Sequence, residues 1–179
     1  MRLLQSVDGS VLWLLESNKW VKANLLEEAN SRGVASERLV FATKVSIAQY
    51  IAQFRQADLY LDTFTYNAGA TASNALWAGL PVLTKLGKGY TARMAGSLLA
   101  SLGLPELITT KETEYEELAL KLATNPERLA SIKQKLAANR LSKPLFNTEL
   151  FTKHLEDGYQ RAYQQYFDYK EPEAIYVPE

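Results

Sequence analysis

The chain has 179 residues, 47% of them hydrophobic, with Lys plus Arg and Asp plus Glu equal at 20 each. That is enough apolar material for one domain with a core, and it argues against disorder and against a global field for nucleic acid or an acidic membrane. Cysteine is absent and histidine occurs once, as His154, which excludes disulfides and thiolate or multi-histidine metal centres. No segment approaches the roughly 18 apolar residues that span a bilayer. The N-terminus shows no signal-peptide pattern, so a cytoplasmic protein is expected.

Residues 1–7 read as the end of a helix with no cap before it, a start suggesting a domain truncated on its N-terminal side. Residues 10–15 form an apolar run that suits a buried strand. Asn18 is placed to cap a helix over residues 19–32, with Trp20, Val21, Leu25 and Ala29 near one face and Gly33 at its end. A strand follows at residues 39–42. Ser46 then caps a helix over 47–56, where Ile47, Tyr50, Ile51 and Phe54 keep helical spacing.

Residues 58–84 organise the rest. They read as a short strand at 59–61, a small-residue loop at 62–69, a helix from about 69–71 to 77 or 78, a stop at Gly79, and a strand at 82–84 opened by Pro81. The first amides of such a helix lack internal partners and carry the positive end of its dipole. Gly69, Ala70 and Thr71 would let a phosphate approach the backbone there. The alternative is an ordinary strand-to-helix loop with no ligand.

Residues 85–90 read as a flexible loop carrying Lys85 and Lys88. Thr91 precedes a helix that runs to about 102 and is ended by Gly103 and Pro105, and a short strand is expected at 106–108. Thr113 with Glu116 reads as a capping box for a helix to about 123. Asn125 with Pro126 starts another helix, to about 139. Residues 140–147 form a linker, Asn147 caps a last helix to about 166, and 168–179 form a tail. Strands alternating with helices at this spacing mean a doubly wound, Rossmann-like parallel α/β sheet, occupying residues 1–167.

Four stretches carry a resemblance to a known family: residues 11–15 (VLWLL), 57–63 (ADLYLDT), 75–84 (ALWAGLPVLT) and 142–148 (SKPLFNT). Their order and spacing resemble the catalytic region of O-linked N-acetylglucosaminyltransferases and SPINDLY-like proteins, many of whose bacterial members carry tetratricopeptide repeats. The resemblance covers residues 4–166. It implies a GT-B fold of two Rossmann-like halves around a cleft, of which this chain resembles the C-terminal, nucleotide-sugar-binding half.

The resemblance also implies roles. The UDP diphosphate would lie against Asn67, Gly69, Ala70 and Thr71, where the helix-dipole reasoning leads independently. Asn74 stands where the family usually has an acidic residue for the ribose; its amide can still donate and accept. The uracil would lie near Lys44 and Val45, with Tyr50 in place of a stacking histidine and Gln53 in place of an arginine. The family's His-Thr-Thr reads Gly69, Ala70, Thr71, losing two side-chain donors. The family's glutamine and lysine at the diphosphate and its catalytic histidine have no counterpart in these residues, so no catalytic residue is expected here and the piece alone is expected to be inert or nearly so. No cofactor and no metal are implied.

Other residues receive structural readings. His154 suits a surface or packing position on the last helix, and Trp77 suits core packing. Asp62, at a strand end, suits a loop cap rather than a ligand contact. Glu112, Glu114, Glu116 and Glu117 suit a solvated helix start. Tyr159, Tyr163, Tyr166 and Phe167 form a stripe suited to packing against the other catalytic half or this domain's own sheet. Lys44, Lys85 and Lys88 are candidates to approach the phosphates and Arg93 to face the cleft. Without an aromatic platform, Lys85, Lys88 and Arg93 do not suggest nucleic acid.

Two functions follow. One is the donor-binding half of a UDP-sugar-dependent transferase moving N-acetylglucosamine to Ser or Thr of an acceptor protein, with the N-terminal catalytic half as partner. The other is a degenerate transferase half serving as a nucleotide-binding or assembly module, which the residues at 50, 53, 69, 70 and 74 favour. A GT-B epimerase would need a pair of carboxylates in the cleft, and none stands out. Apolar cleft surface left uncovered would favour a homodimer.

Overall fold

A computed structural model describes residues 1–178. The chain runs α1 (Arg2–Ser6), β1 (Leu12–Leu15), α2 (Lys19–Ser31), β2 (Leu39–Ala42), α3 (Ile47–Gln53), β3 (Tyr60–Leu61), α4 (Ala70–Ala78), β4 (Val82–Lys85), α5 (Met94–Ser101), β5 (Ile108–Thr109), α6 (Glu112–Thr124), α7 (Pro126–Arg140) and α8 (Thr148–Phe167). Every strand pairing is parallel. β1 pairs with β2 from Leu12 opposite Leu39 to Leu15 opposite Ala42, and β4 lies between β3 and β5.

Helices cover both faces of the three-stranded sheet, as alternation along β4 requires. Val82 points into the larger core with Leu76 of α4, Leu99 of α5 and Leu136 of α7. Its neighbour Leu83 points the other way, into a core with Tyr115 and Ala119 of α6. All four of these leucines and Val82 are fully buried. A third core joins Leu4 of α1 and Ala29 of α2 to Leu39 of β2. α1 bridges two of the cores, because Leu3 packs with the α6 group. An exposed two-pronged contact from the Arg2 guanidinium to the Glu116 carboxylate, 2.7 Å at its shortest, links α1 to α6.

Local chemistry sets the boundaries. Asn18, Asn125 and Asn147 each accept the backbone N–H groups their helices leave free, and Ser46 forms a reciprocal box with Gln49. α4 ends on Gly79 at φ 92, with Leu80 N–H reaching back to the Ala75 carbonyl. α7 returns to this end: Arg140 Nη1 donates to the Trp77 carbonyl at 2.6 Å, and its guanidinium lies over the Trp77 ring.

Several expectations are corrected. The box at the start of α6 is made by Glu114, not by Thr113 and Glu116: the Glu114 carboxylate accepts from Thr110 and Lys111 N–H and from the Thr110 hydroxyl. The strand expected at 106–108 moves to Ile108–Thr109, because Pro105–Leu107 forms a 3-10 turn. Trp77 is not core; it is 45% exposed and meets Phe146 edge-on, while its neighbour Leu76 takes the core position. Trp20 and Ile47 are likewise exposed. The aromatic stripe of α8 does not pack on the domain's own sheet. Tyr159, Tyr163, Tyr166 and Phe167 stay exposed, with Phe167 touching Tyr163 and Tyr166. Residues 168–178 lack regular structure and return along α8, where Arg161 donates to the Tyr176 carbonyl; Glu179 lies outside the described residues. His154 is half-buried in a groove that Pro178 also lines.

Candidate functional site

Two loops meet at the start of α4, residues 62–69 after β3 and residues 86–93 after β4. The second is not an open loop. Gly87 N–H closes onto the Ala92 carbonyl at 2.7 Å, and the backbone then forms a 3-10 turn at Thr91–Arg93. Asn67 N–H donates to the Thr91 carbonyl at 3.0 Å, joining the loops. Behind them the Met94 methyl stands 3.6 Å from where a Cβ on Gly69 would lie.

The start of α4 itself is bare. Gly69 occupies the N-cap position, no side chain caps the helix, and its first turn carries no acidic residue. Among the described residues no carbonyl accepts from the N–H groups of Gly69, Ala70 or Thr71. Ala70 and Thr71 are exposed. Free donors at the positive end of a helix dipole make an anion-binding arrangement. Exposed Tyr66 and Tyr90 belong to the two loops flanking it.

The remaining sequence-derived residues fall at different places around this end. Asn74 is half-buried one turn into α4, on the side of Ala70 and Thr71. Tyr50 connects through aromatic contacts: its ring meets Phe54 edge-on at 4.7 Å, Phe54 lies 6.2 Å from Tyr60, and Tyr60 Oη stands 3.5 Å from Thr71 Oγ1. Burial, with Tyr60 nearby, pushes the Tyr50 phenol up. Gln53 is half-buried on the same helix, and Lys44 and Val45 are exposed between β2 and α3. Asn67 is turned into the loop. It is 1% exposed, its Nδ2 donates to the Thr63 carbonyl, and its Oδ1 has no partner among the described residues.

The candidate cations Lys85, Lys88 and Arg93 lie on β4 and the loop after it. Lys85 lies over the Phe64 ring at 4.7 Å and 3.4 Å from Glu112. Lys88 and Arg93 are exposed, and Arg93 precedes Met94. Among the described residues no three His, Cys, Asp or Glu side chains gather to hold a metal.

Asp62 takes the structural role expected of it, more extensively than a loop cap. Its carboxylate is buried, accepting from Ala68 N–H at 2.7 Å and from the Thr84 hydroxyl at 2.6 Å. Burial pushes its carboxyl above the ordinary range, and those two hydrogen bonds oppose the shift. Tyr115 donates to the Asp62 carbonyl at 3.0 Å; burial, then the Asp62 charge, drive that phenol's pKa up. Local pattern gave no sign of the Thr84 and Tyr115 partners, which come from distant elements. The roles of Tyr60, Thr91 and Met94 were also invisible, since each depends on which loop crosses which.

Residues 1–155 match glycosyl transferase family 41. The chain belongs to that family. It is 32% identical over 178 residues to the "Probable UDP-N-acetylglucosamine--peptide N-acetylglucosaminyltransferase SEC" of Arabidopsis thaliana, covering 99% of this chain and 18% of that protein. It is 29% identical over 166 residues to the UDP-N-acetylglucosamine–peptide N-acetylglucosaminyltransferase of Caenorhabditis elegans, covering 93% of this chain and 14% of that protein. A solved mutant O-GlcNAc transferase from Thermobaculum terrenum superposes with a TM-score of 0.83 at 31% identity, over 89% of this chain and 31% of that one. The α/β reading and the resemblance to a GT-B catalytic region are thereby borne out. The family 41 chain spans less than a fifth of the length of these two curated relatives.

Proposed function

We propose that this chain is the donor-binding half of a family 41 protein O-glycosyltransferase that moves N-acetylglucosamine from UDP-N-acetylglucosamine to Ser or Thr. The observation that carries the reading is the uncapped start of α4, lying within the stretch that matches the family. In this reading the amides of Gly69, Ala70 and Thr71 receive the diphosphate, Asn74 meets the ribose, and Tyr50 stacks on the uracil with Lys44, Val45 and Gln53 nearby. Asn67 shapes the loop that presents the amides. The acceptor hydroxyl attacks the anomeric carbon and UDP leaves, with no metal. The groups that drive this displacement come from the other catalytic half.

Calorimetric titration with UDP, and with UMP and GDP as controls, tests the reading. UDP binding clearly tighter than both supports it, and Asn74→Ala and Thr71→Ala should each weaken that binding. No response at millimolar UDP, repeated with the other catalytic half present, would favour the second reading. That second reading, an assembly module descended from a transferase, is favoured by Gly69 and Ala70, which leave the helix start without side-chain donors.

A further inference from the structure

A buried carboxylate stands directly behind the bare helix start, and its placement is unusual. Asp62 is 4% exposed, and among the described residues no Lys, Arg or His forms an ion pair with it. Burying a charge without a cation is costly, and an apolar residue of similar size would serve packing better. Burial accordingly raises the carboxyl's pKa.

Every polar group of the residue is nonetheless used. Its N–H donates to the Leu83 carbonyl of β4 at 3.0 Å. Its carbonyl accepts from Tyr115 of α6. One carboxylate oxygen accepts from Thr84 of β4, whose own carbonyl accepts from the Thr109 hydroxyl of β5 at 2.9 Å. The other accepts from Ala68 N–H, one residue before the N-cap. Asp62 thus joins β4 and α6 to the residue that leads into the N-cap of α4.

The pattern of amides along the loop shows what this achieves. Asn67 N–H is taken by Thr91 and Ala68 N–H by Asp62. The next three, at Gly69, Ala70 and Thr71, are left free among the described residues. The boundary between occupied and free donors falls where Asp62 grips the chain. Donors aimed in advance need no reorganisation when an anion arrives.

We propose that Asp62 is a positioning residue that holds the free amides of residues 69–71 in the orientation required by a nucleoside diphosphate. The role rests on the donor-site reading above. It is exerted through the acceptor oxygen on Ala68 N–H and not through charge, because a carboxylate so near the site repels a phosphate.

That distinction makes the role testable on the full chain. Asp62→Ala removes the acceptor, whereas Asp62→Asn keeps it and removes the charge. Amide exchange is read at Ala68, which bonds Asp62, and at Ser73, which bonds the Gly69 carbonyl, with Leu80 at the far end of α4 as reference. Asp62→Ala should speed exchange at Ala68 and Ser73 by about tenfold or more while leaving Leu80 unchanged, and Asp62→Asn should protect all three. The ratio of UDP to UMP affinity should fall by about tenfold in Asp62→Ala and stay near that of the unaltered chain in Asp62→Asn. A general loss of structure would instead weaken both nucleotides together.

Unchanged exchange at Ala68 and Ser73 in Asp62→Ala overturns the positioning role. Faster exchange with an unchanged UDP to UMP ratio overturns its service to the diphosphate. An unaltered chain with no preference for UDP, also when the other catalytic half is present, overturns the donor-site reading itself, while the exchange data still decide whether Asp62 orders the helix start. Should Asp62→Ala not fold, Thr84→Val removes the donor to the second carboxylate oxygen and should show the same changes at about threefold.

Discussion

Ala70→Glu should raise the stability of the chain and weaken its binding of UDP in one substitution. Ala70 is exposed on the first turn of α4, which has neither a side-chain cap nor an acidic residue. A carboxylate there faces the positive helix end and is worth about 0.3–1 kcal/mol. For a chain of this size each kcal/mol moves Tm by about 2–4 °C, so a rise of about 1–4 °C is expected. A diphosphate on the same amides meets that charge. Two negative charges about 6 Å away in a water-like dielectric give a repulsion of about 1.4 kcal/mol, or about a tenfold loss of affinity. Water exclusion would enlarge the loss, and added salt should narrow it. Calorimetry with UDP and a thermal melt on the same sample read both effects, and Ala70→Gln supplies a neutral control of the same length. Equal UDP binding in Ala70→Glu and Ala70→Gln would place the diphosphate elsewhere. A fall in Tm relative to Ala70→Gln would show that the helix end is already satisfied.

Acid stability should depend on Glu114, whose carboxyl is held down at about 2 by hydrogen bonds from Thr110 and Lys111. A carboxylate depressed in the folded state stabilises above its unfolded pKa, and that stability is lost as pH falls from about 4.5 towards about 2. Glu114→Gln should therefore flatten the fall of Tm across that window, and an unchanged slope would remove Glu114 from the account; Asp62, shifted upward, has the opposite sign. Gly87→Ala should destabilise by about 1–3 kcal/mol, because the new Cβ would sit 2.5 Å from the Ala92 Cβ in a turn closed by a backbone bond. Gly89→Ala, with nothing within 4 Å of its Cβ position, should leave the melt nearly unchanged. Equal melts for the two variants would contradict the tight closure of that turn.

Features decided by one residue and its immediate neighbours were legible in the sequence. Asn18, Ser46, Asn125 and Asn147 all cap where spacing placed them, because an N-cap needs only its own side chain and the next three amides. The box at α6 failed on the same ground, since two candidate pairs compete within a few residues and Glu114 reaches Thr110 and Lys111 first. Adjacent apolar residues were the harder case. Leu76 and Trp77 differ by about 100° around the helix, and only the neighbouring α5 and α7 decide that Leu76 faces the core. At the candidate site the free amides of Gly69 to Thr71 were legible, because small residues and a helix start define them. The grip of Asp62 was not, because its partners lie on β4 and α6, far away in the chain.

The contact of Arg140 with the Trp77 carbonyl bears on more than packing. A helix end of carbonyls is its negative pole, and here a guanidinium is held against that pole. The opposite pole, at Gly69, has no side-chain cap and no acidic residue in its first turn, and the carboxylate behind it, Asp62, is occupied by Ala68 N–H and the Thr84 hydroxyl. α4 is therefore electrically lopsided, a short rod earthed at one tip and live at the other, and the live tip is the one that the proposed diphosphate would meet.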